Sequence, residues 1–196
     1  MSELPDGPAP HLVETPPLVP PGHPVDTFRR ENAALAAQAD RLRAALASLA
    51  AGPPGEAVEE ARAEQVRREL ARLMDVEKHY LRKENLLFPS LEKHGITGPS
   101  SVMWGKHDDV RSRLRELDDA LPAGEATAEE WGLVARAVAE PALRALEELI
   151  FREEHVLLPV AVENLTEAEW VAIADQSPRF GYCLVAATPW KGAPSR

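Results

Sequence analysis

The stretch Phe151-Arg152-Glu153-Glu154-His155-Val156-Leu157-Leu158-Pro159 sets one carboxylate, Glu153, in the middle of an apolar helix face. Leu146, Leu149, Ile150, Leu157 and Val160 surround it at helical spacing. An ionised carboxylate buried without a partner costs several kcal/mol. A basic side chain, a proton or a metal must therefore compensate Glu153, and the rest of the chain has to supply it.

Working outward, the same periodicity recurs four times. Thr127-Ala128-Glu129-Glu130 reads as a capping box that opens the helix carrying Glu153, with Pro141 as a break or kink and the pattern resuming through Val162. Upstream, Met103, Val110, Leu114, Leu117 and Leu121 mark one face of a helix from about Ser101 to Leu121. Leu70, Leu73, Met74, Tyr80, Leu81, Leu87 and Leu91 mark a longer one from about Glu56 to Phe88, closed by Pro89 and then Gly95. Phe28, Leu35, Leu42, Leu46 and Leu49 mark the first, from about Val25 to Leu49. A second capping box, Thr166-Glu167-Ala168-Glu169, opens a short helix near Trp170. Four long amphipathic helices with short connections predict an all-α protein, an up-down four-helix bundle. Three segments follow: a Pro-rich extension at 1–21, the bundle at 22–185 with the short helix inside it, and a tail at 186–196.

A net charge of −10 argues against nonspecific nucleic-acid binding and against docking on anionic membranes. A single cysteine, Cys183, excludes an intramolecular disulfide and a cysteine zinc site, and reads as a small apolar residue. The charge-free apolar stretches are short, so no transmembrane helix is expected. The N-terminus shows no basic region followed by an apolar run, which makes the cytoplasm the expected location. Helix faces leave room for a homodimer.

Several side chains suit chemistry in the bundle core. His107 is flanked by Met103, Val110 and Leu114, so its ring points inward; it is either a hydrogen-bonded core histidine or a metal ligand. Glu84 lies on the apolar side near Tyr80, Leu81, Leu87 and Phe88, with Glu77 one heptad earlier. Each carboxylate pairs with an arginine or shares a cation. His79 precedes Glu84 by five residues, about 140° around an ideal helix; the two can meet only across a π-bulge. His23 stands between Gly22 and Pro24 at the start of the first helix. His155 points to solvent, and the Arg-rich faces read as solvated surface. Lys83-Glu84-Asn85-Leu86-Leu87-Phe88-Pro89 also resembles Glu153 to Pro159, which hints at two similar helical hairpins.

Four segments in order, Gly22 to Phe28, His79 to Pro89, Val102 to Asp108 and Glu153 to Pro159, make the chain resemble the hemerythrin-like HHE cation-binding family, most of all its subgroup associated with PAS domains. The resemblance covers roughly residues 20–185. It implies a four-helix bundle with a non-heme iron site, di-iron in the standard form, with mononuclear iron or heme as alternatives. It assigns His23, His79 and His107 as histidine ligands and Glu153 as the helix 4 carboxylate; Glu84, one residue past the family's position, substitutes as a second carboxylate through the π-bulge, and Tyr80 is a nearby hydrogen-bonding or oxidisable ring. The small ligand would be O2, NO or peroxide, bound, sensed or detoxified; oxidation of a small molecule and a metal-free interaction module are the alternatives. Two departures stand out: the family's helix 2 carboxylate position is Lys83 here, and its helix 4 histidine position is Leu149. Lys83 can instead neutralise a carboxylate.

Overall fold

The computed structural model describes residues 18–53 and 55–192, so most of the Pro-rich extension lies outside the described residues. The first rod is α1 (Pro24–Ala50). The second consists of α2 (Glu60–Leu73), α3 (Val76–Arg82), a π segment Lys83–Leu87 and α4 (Phe88–Lys93). The third is α5 (Gly98–Ala120), and the fourth joins α6 (Ala128–Val134), a π segment Ala135–Ala139, α7 (Glu140–Arg152), a π segment Glu153–Leu157 and α8 (Leu158–Asn164). A short α9 (Glu167–Gln176) follows, then an extended strap that returns along the molecule. The expected all-α bundle is present; among the described residues the only β pairing is an isolated bridge between Ala57 and Thr127. No helix of the described residues is long and apolar enough to cross a membrane.

Caps fix the rod ends. Both expected capping boxes form, at Thr127 with Glu130 and at Thr166 with Glu169. Gly22 has φ +83°, a left-handed conformation open to glycine, and its N–H donates to Asp26 Oδ2 at 2.9 Å. Pro24 then starts α1 where a missing N–H is harmless.

The second rod departs from expectation in its middle and at its C-terminal end. It is interrupted at Met74 and Asp75, and it runs through Pro89 to Lys93 instead of closing at the proline. The π segments explain the passage through proline. Each is followed by one residue and then a proline: Pro89, Pro141 and Pro159. Proline has no N–H, and its ring crowds the carbonyl four residues back. Widening the turn by one residue absorbs that conflict, and the backbone closes with i→i+5 bonds from Phe88 N–H to Lys83, Glu140 N–H to Ala135 and Leu158 N–H to Glu153. A local proline conflict thus creates the two wide turns that carry Lys83, Glu84 and Glu153.

One apolar core runs the length of the bundle, from Val25 and Phe28 through Leu70 and Leu87 to Leu114, Leu146 and Leu158. Burial of this order, roughly 25 cal/mol per Å² of apolar surface, supplies the main stabilisation. The buried ionisable residues other than His23 are gathered near Phe28, Tyr80 and Phe88.

Candidate functional site

Glu153 is 1% exposed, at the first position of its π turn. One oxygen, Oε1, takes an ion pair from Lys83 Nζ and lies 3.8 Å from His107 Nε2. The other, Oε2, lies 3.0 Å from His79 Nε2. Three groups that the sequence marks singly therefore converge on one carboxylate.

Each histidine is held from behind by a second carboxylate. His79 Nδ1 sits 2.8 Å from Glu31 Oε2, and His107 Nδ1 sits 2.7 Å from Glu84 Oε1. Glu31, which is wholly buried, also pairs with Arg82 and accepts from the Cys183 N–H at 2.6 Å. Glu84 accepts two bonds from Arg111, at 2.8 and 2.9 Å, and Arg111 reaches on to Glu77 at 2.7 Å. The arginine reading of Glu84 and Glu77 is thus correct for both, and it coexists with the contact to His107. The π turn in the second rod exists as required for His79 to meet Glu84, yet the turn serves another purpose. It sends Lys83 to Glu153 and Glu84 to His107, while His79 reaches Glu31 and Glu153.

Aromatic rings wall this cluster. The Tyr80 ring stacks on His107 with centroids 4.1 Å apart and planes 11° apart, and Phe88 lies at 5.6 Å from the same imidazole. Phe28 meets His79 edge-on at 5.5 Å. The Tyr80 hydroxyl is buried without a hydrogen-bond partner, and so is His107 Nε2. Tyr80 therefore acts on the site through its ring.

Burial opposes every charge here, and the partners outweigh it for the carboxylates. Desolvation pushes Glu153 upward, but Lys83 and His79 hold it well below the usual carboxylate range. Glu31 is lowered by His79 and Arg82 against the same penalty. Glu84 is held at about 2 by His107 and Arg111, again against burial. Burial lowers the Lys83 ammonium, with Glu153 opposing. The three carboxylates Glu31, Glu84 and Glu153 face the three cations Arg82, Lys83 and Arg111.

The imidazole contacts leave a demand unmet. A neutral ring has one N–H. If Nδ1 of His79 donates to Glu31, the lone pair on Nε2 faces an ionised oxygen at 3.0 Å, and a proton or a metal cation between them removes the repulsion. His107 repeats the arrangement, with Nδ1 on Glu84 and an unpartnered Nε2 turned toward Glu153. A carboxylate behind the distal nitrogen is how proteins orient metal-binding histidines. Two imidazoles and one carboxylate also suit iron among the first-row metals. The donor chemistry fits a single cation. The side chains as placed do not form a closed site: among the described residues no three His, Cys, Asp or Glu side chains stand in metal-holding geometry, and Lys83 lies on the carboxylate that would bind.

His23 is placed elsewhere. It caps α1 by accepting from Val25 N–H at 3.1 Å, and its ring lies 4.7 Å from both Trp170 and Trp190. Burial lowers its pKa to about 4, which keeps the accepting nitrogen unprotonated. Glu154, beside the hub, holds α1 through Arg29 at 3.1 Å and Asn32 at 2.8 Å, while His155 stacks on Phe151 at the surface.

Sequence reasoning misses Glu31, Arg82 and Arg111 as site residues. Glu31 carries a usable signal, since it falls between Phe28 and Leu35 on the apolar stripe of α1, the same anomaly that exposes Glu153. Arg82 and Arg111 carry none, because long basic side chains are as common on solvated faces.

A family model described as the hemerythrin HHE cation binding domain matches residues 23–161, a span that contains every residue of the cluster except Cys183. No curated protein matches the chain.

Proposed function

The chain belongs to the hemerythrin HHE cation-binding domain family, and from that premise we propose that it holds one iron ion between His79 Nε2, His107 Nε2 and Glu153 and uses it to bind or sense O2, NO or peroxide. The observation that carries this reading is the pair of histidines, each fixed by a carboxylate at Nδ1 and each turned through Nε2 toward Glu153. When bound, iron in a two-histidine, one-carboxylate set supplies open coordination positions for a small ligand.

The chain's own residues prepare that site. Glu31 and Glu84 select the tautomers that leave Nε2 free. Arg111 fixes Glu84 through a bidentate pair, and Tyr80 fixes the plane of His107 by stacking. Phe28, Tyr80 and Phe88 keep bulk water from the cluster. Lys83 holds the cation position on Glu153. Lys83 occupies the Glu153 oxygen that an ion would take, so it would have to release that carboxylate on loading. One carboxylate at the centre and three nitrogens engaged elsewhere, at His23 and the two Nδ1 atoms, favour one ion over the standard pair.

The Lys83–Glu153 pair also favours a second reading, a metal-free bundle in which the ammonium is the permanent counter-ion. Anaerobic titration with Fe(II), and with Co(II) as an optical probe, separates the two. One ion per chain, lost in His107→Ala, supports the cation centre. No uptake, together with a melting temperature indifferent to metal and chelator, overturns it in favour of the ionic network. A Soret band after heme addition would overturn both.

A further inference from the structure

Three cations serve the cluster, and they are held differently. Arg111 grips Glu84 with two nitrogens, at 2.8 and 2.9 Å, and reaches on to Glu77. Arg82 pairs with Glu31, which also accepts from the Cys183 N–H. Lys83 is wholly buried and touches Glu153 through one contact, Nζ on Oε1. We propose that Lys83 is an internal competitor for the cation position on Glu153: the site loads by exchange of the ammonium for a metal ion, and Lys83 sets the affinity. Lys83 then regulates the cation centre proposed above, and this role rests on that reading.

The residue types match this division. A guanidinium is a rigid planar fork suited to a permanent hold on a carboxylate. Both arginines stand behind the histidines, on the carboxylates that meet Nδ1 of His79 and His107. An ammonium is a compact point charge on a flexible four-carbon stem. It stands in front, on the one carboxylate that both Nε2 atoms face. It carries three N–H donors, and among the described residues Glu153 Oε1 is their only hydrogen-bond acceptor. The Tyr80 and Phe28 rings lie 5.2 and 6.0 Å from Nζ, so an ammonium that leaves Oε1 still has aromatic faces beside it. An ammonium and a metal ion on the same oxygen repel, which makes the two occupants exclusive.

The fold places Lys83 for this task. Lys83 and Glu153 each open a π turn, Lys83–Leu87 and Glu153–Leu157, and each turn runs on into a Phe-Pro or Leu-Pro step. The two residues that meet thus hold equivalent positions in the two similar hairpins. Lys83 covers only one oxygen of Glu153. Oε2 stays with His79 Nε2 at 3.0 Å, while Lys83 sits on Oε1, the oxygen that the unpartnered His107 Nε2 approaches at 3.8 Å. Its departure frees that oxygen on the His107 side and leaves the contacts of both Nδ1 atoms untouched.

Co(II) titration followed by absorption, on the full chain and on Lys83→Gln, tests the exchange. Gln keeps an N–H for Glu153 and removes the charge, so Lys83→Gln should bind Co(II) at least tenfold more tightly. Its metal-free melting temperature should fall and should recover as Co(II) is added, a gain in affinity that a merely structural lysine does not produce. In the unmodified isotope-labelled chain, loading with diamagnetic Zn(II) should shift the Lys83 ε-methylene NMR signals. Equal Co(II) affinity in the two chains, or Lys83 signals unmoved by a stoichiometric zinc load, would overturn the competition and leave the cation centre standing. Uptake by Lys83→Gln alone would uphold the competition and overturn the reading that the natural chain carries iron. No uptake by either chain would overturn both.

Discussion

The two histidine arms of the cluster are built alike and finished differently. On the His79 arm, Glu31 holds one nitrogen, Glu153 meets the other at 3.0 Å, and the supporting Arg82 is buried. On the His107 arm, Glu84 holds one nitrogen, the other stops 3.8 Å short of Glu153, and the supporting Arg111 reaches the surface through Glu77. The first arm is closed and the second is open. The difference follows from position. Glu31 and Arg82 are sealed by Cys183 and Tyr182 of the strap, whereas Glu84 and Arg111 lie near the solvated side of α5.

The most severe way to break the comparison is to remove its shared member. Glu153→Ala leaves Lys83 as an uncompensated buried ammonium, and should cost about 3–5 kcal/mol in urea unfolding. The double variant Lys83→Met with Glu153→Leu should recover most of that, because an apolar pair of similar volume avoids the desolvation of both charges. A double variant no more stable than Glu153→Ala would mean that the stranded ammonium is not what destabilises the single variant.

The arms themselves should differ next. Glu31→Gln strands Arg82 in the core and should cost about 3 kcal/mol or more. Glu84→Gln should cost less, about 1–3 kcal/mol, because Arg111 retains Glu77. Equal losses in the two unfolding curves would erase the distinction between a sealed and an open arm.

Acid should find the open arm as well. The Glu84 carboxyl is depressed from an ordinary 4.5 to about 2 in the fold, so the unfolded chain binds the proton more readily. Its contribution is complete above the unfolded value and is lost as pH falls from about 4.5 toward 2. Glu84→Gln should therefore flatten the dependence of stability on pH in that window, measured by denaturant titration at successive pH values.

The smallest effect belongs to Tyr80→Phe. Its hydroxyl has no partner, and the ring makes the contact with His107, so removal should change stability by less than about 1 kcal/mol. A loss above about 2 kcal/mol would show that the hydroxyl is bonded in solution.

Much of this molecule is legible one residue at a time. Glu153 and His107 announce themselves because each interrupts an apolar face. The capping boxes at Thr127 and Thr166 are local chemistry and form as read. The π turns are legible too, through the prolines that follow them, though the sequence raises only one, as the condition for His79 to meet Glu84. His23 shows the opposite case. Its place between Gly22 and Pro24 suggests a placed residue, the family resemblance makes it a ligand, and the structure positions it as a helix cap beside two tryptophans. The Pro-Gly context reports rigidity correctly and cannot report what the ring will meet.

Periodicity, caps and prolines by themselves determined an all-α bundle, the inward direction of Glu153, Glu84 and His107, and the need for positive charge beside them. These follow from interactions within a turn or two of helix, which depend on neighbours in the chain. Only the tertiary structure decided which cation meets which carboxylate: Lys83 with Glu153, Arg82 with Glu31 and Arg111 with Glu84, pairs separated by 70, 51 and 27 residues. A long basic side chain reads the same on a solvated face as in a core. Its role is set by which helix is packed opposite, and at these separations that is a property of the bundle.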